Sequence, residues 1–80
     1  MILDWRDQIL VSDARGSNGF QYLVYAGAPM AVIKQIPATG PDSSPYVQKD
    51  IGVGSLEEGK DLAQTWEDEE AAKWDAGIWE

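Results

Sequence analysis

Short apolar, β-branched runs separated by turn residues fill much of the first 53 residues, and apolar positions recur every three to four residues after Ser55. The stretch "QILVSD", residues 8–13, is apolar and β-branched enough for a strand. "ARGSNG" then supplies a turn, because Asn18 and Gly19 take positive φ at little cost. "FQYLVYA", residues 20–26, is the clearest strand: Phe20, Tyr22 and Val24 face one way, and Gln21, Leu23 and Tyr25 face the other. Both faces are largely apolar, which predicts a central strand. "MAVIKQI", residues 30–36, makes a third strand ended by Pro37. Residues 37–45, "PATGPDSSP", read as a polar surface loop. "YVQKDIGV", residues 46–53, returns as a fourth strand with Val47, Lys49, Ile51 and Val53 on one side.

The period then changes. Ser55 and Glu58 form a capping-box pattern at a helix start. Leu56, Gly59, Leu62, Ala63 and Trp66 recur at i, i+3 and i+4 and define one apolar face. The spacing predicts a helix over 56–74 and a tail over 75–80. Eighty residues make a single domain, 1–80. The expected fold is α+β: a small antiparallel sheet of three to four strands in a meander, with one C-terminal helix packed on a face. Trp66 belongs to the core, and Trp5 closes its other end.

Charge sharpens this picture. The net charge is −8, and it is unevenly placed. Residues 1–55 hold five acids and four bases, netting −1, whereas residues 56–80 hold nine acids and two bases, netting −7. Direct nucleic-acid binding is disfavoured, since it is driven by Lys and Arg neutralising phosphates. Anionic membranes are disfavoured for the same reason, and no stretch approaches the ~20 apolar residues of a membrane span. The chain has no cysteine, and its first residues lack a basic and apolar leader. These features predict a cytoplasmic protein whose natural complement is a basic protein surface.

Candidate chemistry is sparse. There is no histidine and no cysteine, so the commonest general base and the strongest side-chain nucleophile are both missing. "GSNG" and "GVGS" do not match a phosphate-binding loop and read as turns. The run Glu67–Glu70 offers carboxylates that diverge around a helix, unlike the spaced ligands of a calcium loop. Neither a cofactor nor a metal site is expected, and catalysis by paired carboxylates is the least favoured reading.

What remains is the acidic helix. Glu57, Asp61, Gln64 and Asp68 fall on one outward stripe. Glu67, Asp68, Glu69 and Glu70 lie in the second half, where the helix dipole disfavours anions. Glu70 projects toward the side of Trp66 and Trp74, which is otherwise apolar. Trp74 and Trp79 either fold back onto the core or serve as anchors for a partner, beside Asp75. The expected partner-binding residues are therefore Glu57, Asp61, Glu67, Asp68, Glu69, Glu70, Trp74, Asp75 and Trp79. The corresponding function is a non-enzymatic inhibitor occupying a basic protein surface, acting as a monomer or homodimer. The alternative is an adaptor whose acidic, Trp-rich end docks on a partner.

The length, the strands "FQYLVYA" and "MAVIKQI", the helix "GSLEEGKDLAQTWED" and the acidic end together resemble small acidic inhibitors encoded by phages and mobile elements. Among these, the chain is similar to proteins of the anti-CRISPR type. The resemblance is architectural and transfers no residue. It implies a partner such as a subunit of a CRISPR surveillance complex, an action as a nucleic-acid mimic, and a location in the host cytoplasm.

Overall fold

The computed structural model describes residues 2–75, with side chains given as far as Lys73. Five strands run in chain order: β1 (Arg6–Asp7), β2 (Val11–Arg15), β3 (Gln21–Tyr25), β4 (Ala31–Ile36) and β5 (Tyr46–Gly52). Each pairs antiparallel with the next, giving one sheet of order β1-β2-β3-β4-β5. Among the described residues one α-helix, α1 (Leu56–Asp75), packs on one face. The molecule is thus the expected α+β meander with one C-terminal helix, carrying one short strand more than predicted.

The extra strand also moves the first boundary. Residues 8–13 do not form one run: Gln8 donates its N–H to the Val11 carbonyl at 2.8 Å and closes a turn. Arg6 and Asp7 then pair back onto Asp13 and Ser12, and β2 extends to Arg15. The expected turn at 14–19 shortens to a 3-10 turn over Ser17–Gly19, where Asn18 (φ 62°) and Gly19 (φ 78°) take the left-handed conformation expected of this pair.

Strand parity sorts the two faces of the sheet. Ala14, Tyr22 and Lys34 stand in register across β2 to β4, and Ser12, Val24, Val32 and Ile51 across β2 to β5. These residues face α1. Tyr22, Val24 and Val32 are fully buried and join Leu3, Ala14, Phe20, Ala63 and Trp66 in the core, with Trp5, Val53 and Leu62 packed against it. Fully burying side chains of this size contributes about 1.5–3 kcal/mol each. The opposite face carries a polar ladder in which Asp13 accepts bonds from Arg6 (2.6 Å) and Gln21 (3.3 Å), and Gln35 donates to Gln21 (3.2 Å). A bulge in β5 corrects one expectation. Lys34 lies opposite Lys49, but Gln35 lies opposite Val47, so Gln48 is skipped and Val47 leaves the side shared by Lys49 and Ile51.

The helix begins as its sequence suggests. The Glu58 N–H donates to Ser55 Oγ (3.1 Å), while the Glu58 carboxylate accepts from the Gly54 N–H (2.7 Å), one residue further back than in the usual capping box. Gly59 sets the closeness of helix and sheet, because a Cβ there would stand 2.7 Å from Val24 Cγ1.

Candidate protein-binding surface

Helical phase decides which acids reach solvent. With a turn every 3.6 residues, Gly59, Ala63, Trp66 and Glu70 share the face that meets the sheet. Glu70 is accordingly 6% exposed, and Glu67, on the flank of that face, is 0% exposed. As exposed partner contacts these two residues are therefore corrected: their carboxylates are turned inward and satisfied by the protein itself.

Glu67 accepts three hydrogen bonds, from the Ser17 N–H (2.7 Å), Ser17 Oγ (2.5 Å) and the Tyr22 hydroxyl (3.2 Å). Burial, reinforced by Glu67 beside it, pushes the Tyr22 hydroxyl far above its ordinary range and keeps it a neutral donor. Gly16 makes room for this cluster, since a Cβ there would stand 2.4 Å from both Glu67 Oε1 and Tyr22 Cε2. Glu70 accepts from Lys34 Nζ (2.9 Å) and from Asn18 Nδ2 (2.8 Å). Burial alone would raise the Glu70 carboxyl, but the bonds from Lys34 and Asn18 outweigh it and hold the group below its ordinary value. Lys34 also sits 4.3 Å over the Phe20 ring. Both Glu70 oxygens thus have donors and the Phe20 ring faces the ammonium, contacts that offset part of the cost of burying the pair.

Sequence reasoning missed Ser17, Asn18, Tyr22 and Lys34 as partners of these acids. One signal was available: Lys34 alternates in phase with Val32, so a charge was due on the helix-facing side of β4, opposite the anomalous Glu70.

Of the expected stripe Glu57, Asp61, Gln64 and Asp68, Gln64 is half-buried and the three acids reach solvent. Glu57, Asp61, Asp68 and Glu69 are exposed, and Asp68 accepts a bond from Gln64 Nε2 at 2.9 Å. Glu57 and Asp61 make no side-chain bond among the described residues, whereas Glu58 is committed to the cap. Glu57 to Asp68 spans roughly 16 Å along the helix. Among the described residues, no three acidic side chains converge as metal ligands would. The expected contacts Trp74, Asp75 and Trp79 lie outside the described side chains, and residues 76–80 of the expected tail lie outside the described residues.

The N-terminal arm borders this stripe, which the sequence did not predict. The Leu3 N–H donates to Gln64 Oε1 at 2.9 Å and holds residues 2–5 along the first half of α1. Between arm and helix lies a groove of about 520 Å³ whose walls include Ile2, Trp5, Leu56, Glu57 and Asp61. Lys60, also in its lining, is bonded to Asp7 at 3.0 Å and lies 5.6 Å over the Trp5 ring. Asp7 in turn accepts from Ser12 Oγ at 2.6 Å, and the Ser12 and Lys60 bonds together hold its carboxyl below the usual range.

No helix among the described residues is long and apolar enough to cross a membrane. The chain matches no family model, no curated protein and no solved structure.

Proposed function

We propose that this protein is a non-enzymatic inhibitor that uses the exposed stripe of α1 to occupy a basic protein surface, one that otherwise holds nucleic acid. The observation that carries this reading is the division of the helix's acids. Glu67 and Glu70 are consumed inside the fold, yet Glu57, Asp61, Asp68 and Glu69 remain outward with little local compensation. Like-charged neighbours at i, i+4, such as Glu57 and Asp61, cost an isolated helix a few tenths of a kcal/mol. The helix dipole favours Glu57 in the first turn, but it does not relieve the Glu57–Asp61 repulsion or favour the later Asp68 and Glu69, and a cationic partner would stabilise all of them.

A non-enzymatic role is supported by the absence of histidine and cysteine, by the inward partners of buried Tyr22, Lys34, Glu67 and Glu70, and by the Arg6 and Gln21 bonds to buried Asp13. The resemblance to inhibitors of the anti-CRISPR type supplies the proposed target, a subunit of a bacterial surveillance complex met in the host cytoplasm. An adaptor whose acidic end orders only on a partner is less well supported, because Glu67 and Glu70 tie that part of the helix to Ser17, Asn18 and Lys34 in the free chain.

The test is affinity capture from bacterial lysate, followed by competition between the captured partner's nucleic acid and this protein. Wild type should displace the nucleic acid, and displacement should weaken steeply with salt. The variant Glu57→Lys/Asp61→Lys/Asp68→Lys should fold normally and lose displacement. Equal displacement by this variant would refute the reading.

A further inference from the structure

We infer that the groove between the N-terminal arm and the first half of α1 receives an arginine of the partner, flanked there by apolar side chains. This inference rests on the proposed acidic-surface function and names the contact at its centre.

Two properties of the groove select that occupant. The first is charge. Glu57 and Asp61 stand on successive turns of α1, with Cβ atoms about 6 Å apart at this spacing, and neither carboxylate has a partner among the described residues. Among the described residues, the cation in the lining is Lys60, and it is already held by Asp7 at 3.0 Å. A planar guanidinium spans two carboxylates through separate N–H pairs, which the single ammonium of lysine does less well. The second is the apolar wall. Ile2 is 85% exposed and Leu56 38% exposed, and both line the same groove. An arginine stem and its apolar neighbours would cover them, so both requirements are met by one short segment. Asp68 and Glu69 are equally acidic but are not among the residues lining this groove. The groove is therefore distinguished by having both properties together.

The experiment follows amide 1H–15N shifts of the full chain during titration with acetyl-Leu-Arg-Leu-amide, with its citrulline counterpart, and with triarginine. The Leu-Arg-Leu peptide should shift residues 2–5 and 56–64. Citrulline, which keeps the shape and loses the charge, should bind about ten-fold more weakly, as should the arginine peptide to Glu57→Gln/Asp61→Asn. Leu56→Ser should weaken the Leu-Arg-Leu peptide and leave triarginine unaffected. Shifts centred on Asp68 and Glu69, equal affinity of the citrulline peptide, or no effect of Glu57→Gln/Asp61→Asn would each overturn the groove assignment. Failure of the underlying function is read separately. If displacement of nucleic acid survives Glu57→Gln/Asp61→Asn but is lost on adding Asp68→Lys, the groove is wrong and the acidic-surface function stands.

Discussion

Both halves of α1 are acidic, yet their acids divide into an outward and an inward group with opposite electrostatic roles. In the first half, Glu57 and Asp61 point to solvent and are met by no cation among the described residues. In the second half, Glu67 and Glu70 are buried and hold the helix to the sheet through Ser17, Tyr22, Asn18 and Lys34. Rotational phase separates the inward acids from the outward ones. Glu70 follows Trp66 by one turn and Ala63 by two, so it inherits their core-facing direction, whereas Asp61 and Asp68 lie on the far side. An acidic run therefore cannot be treated as one surface, and its charge has to be divided residue by residue before any partner is considered.

The sharpest way to break this division is at the buried pair. Lys34→Met leaves Glu70 buried with Asn18 but without its cation, and should cost about 3–5 kcal/mol in urea or thermal unfolding. Lys34→Met/Glu70→Leu, which removes both charges, should recover most of that loss. A double variant as unstable as the single one would mean that the network is needed for more than mutual neutralisation.

A smaller effect is expected at Gly16. Gly16→Ala forces a Cβ against Glu67 and Tyr22 and should destabilise by about 1–3 kcal/mol, the usual cost of overpacking. The equivalent thermal shift is about 4–8 °C per kcal/mol for a domain of this size. The cluster would be looser than described if Gly16→Ala were neutral.

Acid titration offers a third handle. The carboxyls of Glu70, Asp13 and Asp7 are all lower in the folded protein than their ordinary values, held down chiefly by Lys34 and Asn18 against burial, by Arg6, and by Ser12 with Lys60, respectively. A group whose folded value is depressed adds stability that is complete above its unfolded value and is lost as pH falls through its folded value. Stability should therefore be flat near neutrality and decline below about pH 4–5. In Lys34→Met/Glu70→Leu that decline should be shallower, since Glu70 no longer contributes. An identical decline would place the acid sensitivity elsewhere.

Much of this fold was legible because its signals are local. Alternation in "FQYLVYA", the Ser55 and Glu58 cap, and the phase of Gly59, Ala63 and Trp66 each specify their own element, and the order of short connections leaves a meander as the simple topology. Glu70 was legible as an anomaly, since it falls on the apolar face. Its explanation was not, because Lys34 is 36 residues away and becomes its neighbour only when β4 lies beneath α1. Glu67 was less visible still. It sits at the margin of the helix's buried face and is enclosed only because the 3-10 turn at Ser17–Gly19 closes over it. The groove was hidden for a similar reason: the Leu3–Gln64 bond joins residues 61 positions apart, and nothing in "MILDWRDQIL" announces it. The shift of β2 by about two residues reflects pairing with β1, a strand too short to carry a pattern.

The central claim is that folding uses the inner acids of α1 and does not depend on the outer ones. The most direct measurement compares urea midpoints of two charge-reversed variants under one condition, Glu57→Lys/Asp61→Lys/Asp68→Lys and Glu67→Lys/Glu70→Lys. The first should stay within about 0.5–1 kcal/mol of wild type, as exposed substitutions do. The second should lose more than about 4 kcal/mol, or fail to fold, because it places lysines against Lys34 and the Ser17 N–H in the core. Comparable losses in the two variants would contradict the division of the helix, and a stable Glu67→Lys/Glu70→Lys variant would contradict it outright.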